Sequence, residues 1–168
     1  MIITESDLAG IRARHADQKI VLTSGTFDLF HIGHLRYLEE VKKYGDIMVV
    51  MVSGDARVRF RKGLERPIIP ENERAAIIDA LRIVDYVLID PGYNEPGRID
   101  PRYAHILADL SPEAYTTDGP DHRFFNLKNH HTRIVTTPRI HGGTYDSTSA
   151  IIRHIARLTH DTHQLIDD

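Results

Sequence analysis

Leu8 and Ile11 stand among polar residues near the start of the chain, a pattern that predicts a short helix within residues 1 to 18, with Thr4 and Ser6 as candidate caps. Ile20-Val21-Leu22 then reads as a short buried strand. Beyond it Leu35, Leu38 and Val41 recur on one face while Glu39, Glu40, Lys42 and Lys43 fall on the other, so an amphipathic helix follows. Gly45 ends it. Ile47 to Val52 is apolar without interruption, as expected of a strand covered on both faces. The spacing next predicts a helix over Glu71 to Ile83, with Ala75, Ile78 and Leu81 packing inward and Glu71 and Glu73 near its positive end. Tyr86 to Ile89 is a third strand.

Between the second strand and that helix lie Ser53-Gly54-Asp55 and the basic segment Arg57, Arg59, Arg61 and Lys62, read as a loop that turns at Pro67 and Pro70. Residues 91 to 97 form a loop by their breakers. A helix from Pro101 to Leu110, a strand from Ala114 to Thr117, a turn at Asp118-Gly119-Pro120 and a last strand at Ile134-Val135 follow. Gly142-Gly143 is a loop, and Ser147 caps a final helix through about Leu158. Residues 121 to 131 are polar and His-rich and predict no element. Alternating strands and helices imply a parallel sheet with right-handed crossovers. The expected fold is α/β, a Rossmann-like three-layer sandwich with a mostly parallel sheet, in one domain covering 1–168. Ligands then sit beyond the strand C-termini at the switch point, where the turn after Gly25 emerges.

Composition narrows the chemistry. A net charge of −3 offers no bulk attraction to nucleic acid, and none is expected as a partner. The absence of cysteine excludes disulfides, thiolate catalysis and Cys-type zinc sites. No apolar run approaches membrane-spanning length and no signal pattern opens the chain, so a cytoplasmic location and no membrane partner are expected.

The stretch Gly25-Thr26-Phe27-Asp28-Leu29-Phe30-His31-Ile32-Gly33-His34 carries the most specific chemistry. A glycine at a strand end before a helix start lets backbone N–H groups approach a phosphate, and the helix N-terminus favours negative charge. His31 and His34, three apart, fall on one face and are suited to donating hydrogen bonds to phosphate oxygens. This reads as a nucleotide-phosphate site. Ser147-Thr148-Ser149 before an apolar helical pattern supplies a second anion site, with Arg153 about two turns in; a plain helix cap with a surface arginine is the alternative. A dinucleotide-binding oxidoreductase would share the sheet, but no Gly-x-Gly-x-x-Gly follows the first strand. A zinc site from the histidines lacks a ligand set at the usual spacing.

The decapeptide resembles the Gly-x-Phe-Asp-x-x-His-x-Gly-His signature of the cytidylyltransferase-like nucleotidyltransferases, and the likeness runs from residue 19 to residue 155. Asp55-Ala56, Lys62-Gly63, Arg66-Pro67, Glu73-Arg74, Asp79-Ala80-Leu81 and Val84-Asp85 are most similar to the adenylyltransferase domain of ADP-heptose synthase. The resemblance implies transfer of a nucleoside monophosphate from a nucleoside triphosphate to a small phosphorylated acceptor, with pyrophosphate released. It implies His31, His34 and Lys62 as catalytic residues, and Gly25, Thr26, Phe27, Gly33, Asp118, Ser147, Thr148 and Ser149 around the nucleotide. Arg59, Arg74 and His122 are assigned to the acceptor. Asp28 is assigned there too, with ordering of the turn as its favoured alternative. Mg²⁺ is expected to ride on the triphosphate with few protein ligands.

Cytidylyltransferases of the glycerol-phosphate type carry Arg-Thr-Glu-Gly before their Ser-Thr-Thr; here Gly142-Gly143-Thr144-Tyr145 stands, so ATP is expected over CTP. ADP-heptose synthase carries Lys-Gly-Gly-Asp-Tyr after its fourth strand, where this chain has Thr117-Asp118-Gly119-Pro120-Asp121. His122, His130 and His131 are candidates to replace the lost charge. A cytidylyltransferase acting on a small phosphate or phosphonate and a non-catalytic nucleotide sensor are the alternatives. Relatives of this type are often dimers, which leaves a homodimer open.

Overall fold

The computed structural model describes residues 1–90, 92, 101–119, 131–137, 143 and 145–164. Six parallel strands form its one sheet among the described residues: β1 (Ile2–Ile3), β2 (Ile20–Gly25), β3 (Ile47–Ser53), β4 (Tyr86–Asp90), β5 (Ala114–Thr117) and β6 (Arg133–Thr136). Their order is β1-β4-β3-β2-β5-β6. The chain therefore steps from β2 to β3 to β4 in one direction and returns to the other flank of β2 with β5. The β2–β5 pair is the point of reversal, where the strand C-termini leave a crevice for a ligand.

The uninterrupted apolar run of β3 is buried along its whole length, and its alternating side chains fill two different cores. Ile47, Val49 and Met51 join Leu8 and Ile11 of α1 (Leu8–Arg14) and Ile106, Leu107 and Leu110 of α5 (Arg102–Leu110) on one face. Met48, Val50 and Val52 meet Leu38 and Val41 of α2 (Ile32–Lys42) and Ala75 and Ile78 of α4 (Glu71–Asp79) on the other. This is the three-layer sandwich. Between the layers, Tyr37 of α2 ties itself to the sheet, its hydroxyl 2.7 Å from Thr23 Oγ1 and donating to the Thr116 carbonyl at 3.3 Å.

Several boundaries differ from the sequence expectation, each for a physical reason. The opening helix is shorter and is preceded by β1, two residues that pair with Val87 and Leu88 and show no periodicity to read. The basic segment is not a loop but α3 (Asp55–Lys62), which buries only Val58 and so lacks an apolar stripe. The helix expected to reach Ile83 stops at Asp79. The final helix, α6 (Thr148–Gln164), runs past Leu158, which with Ile155 stays exposed. No helix among the described residues is long and apolar enough to cross a membrane.

Candidate active site

β2 delivers the chain to Gly25, and the backbone then folds sharply back. A Cβ on Gly25 would lie 2.7 Å from the Phe27 ring, so only glycine lets that ring close over the strand end. Phe27 and Leu29 sit in the left-handed region, at φ 52° and 46°, on either side of Asp28. A non-glycine residue there costs about 1–3 kcal/mol and persists only when its surroundings over-determine it.

Asp28 is the main restraint. Its side chain is 1% exposed and accepts from the Ile68 amide at 3.0 Å, the Ile69 amide at 3.0 Å and Arg66 Nε at 2.9 Å, with Arg66 Nη2 at 2.6 Å. Burial alone would raise this carboxyl, but the Ile68 and Ile69 amides and the Arg66 guanidinium outweigh it and hold the group below its ordinary value. Arg74, wholly buried, completes the brace. It donates to the Ile69 carbonyl at 2.8 Å, the Thr26 carbonyl at 2.5 Å and Asp55 Oδ1 at 2.6 Å.

The turn ends at His31, which caps α2 with its side chain: the Gly33 amide donates to Nδ1 at 3.2 Å. With Nδ1 accepting, the ring proton of neutral His31 must sit on Nε2, which makes that atom a donor. The His31 and His34 rings stack with centroids 3.8 Å apart, and Phe27 and Phe30 flank His34 at 5.4 and 5.6 Å. Two imidazoles thus stand beside the positive end of a helix, with their orientation fixed by neighbouring rings.

The second hydroxyl-rich segment is built against the first. Thr148 Oγ1 donates to the Asp28 carbonyl at 2.8 Å, and Ser147 Oγ accepts from the Ala150 amide at 3.2 Å as the cap of α6. A Cβ on Gly33 would fall 2.5 Å from the Asp146 carbonyl, so the two helix N-termini approach each other only because position 33 is glycine. They open on one cleft of about 670 Å³, whose lining includes Gly25, Thr26, Phe27, Asp28, His31, Gly33, His34, Lys62, Asp118, Ser147, Thr148 and Ser149. Lys62, the last residue of α3, reaches Thr26 Oγ1 at 3.3 Å. On the β5 flank Thr117 Oγ1 donates to the Gly119 carbonyl at 2.9 Å, closing the turn that carries Asp118.

Three expected acceptor residues need correction. Arg74 has no exposed surface and spends its donors on the protein, so it braces the turn from behind and cannot meet a substrate. Arg59 lies outside the cleft lining and pairs with Asp55 at 3.6 Å. Asp28 borders the cleft but is committed to Arg66 and two amides, which is the ordering role. His122 and His130 lie outside the described residues; His131 is exposed and is not part of the lining. Sequence reasoning did not assign Arg57, Arg61, Arg66 or Asp146 to the site, yet all four line it. Helical phase was the available signal for the first two: residues 57 and 61 share a face of α3 that residue 59 does not.

Among the described residues no three His, Cys, Asp or Glu side chains are grouped as a metal cage. The cleft instead offers Arg57, Arg61, Lys62 and Arg66. A donor set of this kind fits a cation that arrives on a polyphosphate, with the ligands for it supplied by the substrate.

Two helix N-termini, a histidine pair and a basic wall around one crevice at a strand-order reversal define a nucleotide-phosphate site on an α/β fold. The cytidylyltransferase-like family model matches residues 22–134, two-thirds of the chain and the whole of the Gly25 to His34 stretch. The chain belongs to that family of nucleotidyltransferases. It is 50% identical over 84 residues to the bifunctional protein HldE of Geobacter metallireducens, covering 49% of this chain and 17% of that one. Against the bifunctional protein HldE of Helicobacter pylori it is 48% identical over 75 residues, 45% and 16% of the two chains. The chain thus matches less than a fifth of the length of these curated relatives. Among solved structures, the lipopolysaccharide core biosynthesis protein from Thermoplasma volcanium superposes with a TM-score of 0.60 at 27% identity, over 74% of this chain and 99% of that one. A pantoate–β-alanine ligase from Francisella tularensis, 16% identical with a TM-score of 0.55 over 86% and 69%, shares the fold.

Proposed function

We propose that this chain is an adenylyltransferase of the ADP-heptose synthase type, transferring AMP from ATP to the phosphate of a small acceptor. The observation that carries the reading is the stacked His31–His34 pair at the N-terminus of α2, set against the Ser147–Ser149 N-terminus of α6 across one cleft. A phosphate oxygen of the acceptor attacks the α-phosphorus. The new O–P bond forms as the bond to the β-phosphate oxygen breaks, and pyrophosphate leaves with that electron pair. The nucleophile is already ionised near neutral pH, so no general base is needed, and catalysis rests on positioning and charge stabilisation.

In this scheme His31 Nε2 and His34 donate to the α- and β-phosphate oxygens, where charge grows as the leaving group departs. Ser147, Thr148 and Ser149, with the α6 amides, hold the β- and γ-phosphates. Lys62 lies over the triphosphate, and Gly25, Thr26, Phe27 and Gly33 shape the floor on which it rests. Mg²⁺ would enter bound to ATP and offset its charge. The preference for ATP rests on Gly142-Gly143-Thr144-Tyr145 standing where the glycerol-phosphate type has Arg-Thr-Glu-Gly. Heptose 1-phosphate is the leading acceptor.

Pyrophosphate release from ATP and from CTP, each with heptose 1-phosphate, glycerol phosphate and a phosphonate, tests the reading. Release with ATP and heptose 1-phosphate is the expected result. Release confined to CTP would transfer the chain to the cytidylyltransferase reading, and nucleotide binding without release from any pair would make it a sensor.

A further inference from the structure

α3 carries four cations in eight residues: Arg57, Arg59, Arg61 and Lys62. The negative end of a helix favours cations, so their number alone says nothing about a ligand. Their directions do. Arg59 turns away from the cleft and is answered by Asp55. Arg57 and Arg61, one helical turn apart, both line the cleft. The charge on Arg57 is balanced from behind, with Nε 4.0 Å from Oδ2 of the buried Asp90. Its Nη1 donates at 2.8 Å to the Tyr103 hydroxyl, which in turn donates to Asp90 Oδ2 at 2.8 Å. Arg61 has no ion pair or hydrogen bond with any described residue, although a second guanidinium stands four residues before it. Like charges at that spacing oppose helix formation unless something negative comes between them.

We propose that Arg61, with Arg57 held beside it by Tyr103 and Asp90, receives the phosphate of the second substrate, which is therefore a dianionic phosphate monoester. The inference rests on the nucleotidyl-transfer reading and goes beyond it by naming the residues and the charge that select the acceptor. Topology supplies the side. The nucleotide takes the crevice between β2 and β5, while α3 follows β3 on the opposite flank of β2. In-line displacement brings the attacking oxygen in on the side of the α-phosphorus away from the leaving pyrophosphate. The β3 flank, with the Arg61 guanidinium at its edge, is the approach left for it. A phosphate monoester carries close to two negative charges at neutral pH, since its second ionisation lies near about pH 6. Planar guanidinium groups match its oxygens in pairs.

The test is calorimetric and uses the whole chain. The protein is first titrated with α,β-methylene-ATP and Mg²⁺, then, once loaded, with glucose 1-phosphate, ribose 5-phosphate and glycerol phosphate, with dimethyl phosphate as a monoanionic control. At least one monoester should bind and dimethyl phosphate should not. Arg61→Gln should weaken the monoester by about tenfold to a hundredfold, the range for losing hydrogen bonds from a charged donor, while altering the nucleotide affinity less than about threefold. Arg59→Gln should change neither. Equal weakening of both ligands would put Arg61 on the triphosphate and overturn the proposal, as would an unchanged monoester affinity or no monoester binding by the unaltered chain. Failure of the unaltered chain to take up α,β-methylene-ATP is read before any monoester is added; it would remove the adenylyl-transfer reading and, with it, the acceptor site argued from that reading.

Discussion

Replacing Asp28 by Asn separates the ordering role of this residue from a substrate-binding one. The carboxylate accepts from two backbone amides and from two nitrogens of Arg66 while showing 1% of its surface. Asparagine keeps the shape, but its NH₂ must face groups that are themselves donors, and the negative charge opposite Arg66 is gone. Breaking a buried ion pair from one side costs about 3–5 kcal/mol. The Arg66 side chain keeps 15% exposure on the cleft side and can recover some hydration, which favours the lower end, about 3 kcal/mol. At about 2–4 °C per kcal/mol for a chain of this size, melting should fall by about 6–12 °C. The left-handed Phe27 and Leu29 lose their brace, so turnover should fall as well. Acid titration gives an independent check. The folded-state pKa of Asp28 lies below its unfolded value of about 3.9, so the unfolded chain binds more protons between the two and stability rises with pH across that window. The contribution is complete above the unfolded value and is lost as pH falls through the folded one. Urea denaturation from pH 2.5 to 7 should therefore show a steeper acid loss in the wild type than in Asp28→Asn. Unchanged stability with a raised acceptor KM would refute the bracing argument and return Asp28 to the substrate.

His34→Ala should lower turnover by on the order of a hundredfold with little change in nucleotide affinity, as expected for a donor whose bond strengthens in the transition state; near-normal turnover would remove the central assignment. Lys62→Ala should weaken triphosphate handling while thermal melting barely moves, because the side chain ends an exposed helix turn; a collapsed melt would mark it as structural. Arg74→Leu should destabilise by about 3–5 kcal/mol in chemical denaturation, since it removes the buried partner of Asp55 Oδ1 and the donor to the Ile69 and Thr26 carbonyls, and an acceptor KM effect without destabilisation would contradict the buried geometry. Gly33→Ala should cut activity through the clash with the Asp146 carbonyl, at about 1–3 kcal/mol of strain; full activity would show that the two helix N-termini need not touch.

What could be read from the sequence is what depends on neighbours along the chain. β3 declares itself because six consecutive apolar residues have no solvent-facing side to offer. His31 and His34 were legible because a strand end, a glycine and a helix start are all local signals. β1 was not, since a two-residue strand exists only through its pairing with Val87 and Leu88, 85 positions away. Asp28 was half legible for the same reason. Its partners lie 38 to 41 residues downstream, and nothing near position 28 announces them.

α3 shows how a missed element changes a functional assignment. Read as a loop, its four cations are equivalent, and Arg59 is as reasonable a ligand as Arg61. Once the segment is helical, a 100° step per residue separates them: residue 59 is carried away from the face that 57 and 61 share. Only one buried side chain, Val58, holds this helix to the core, so hydrophobic periodicity could not reveal it. Its other anchors are polar and non-local, the Glu71 carboxylate on the Asp55 amide at 2.5 Å and Arg74 on the Asp55 carboxylate. The same Arg74 also holds the Thr26 carbonyl of the turn that leads to His31. One buried guanidinium therefore sets the start of the basic helix relative to the histidine turn, and with it the span between Lys62, Arg61 and the imidazoles across which a transferred phosphate must fit.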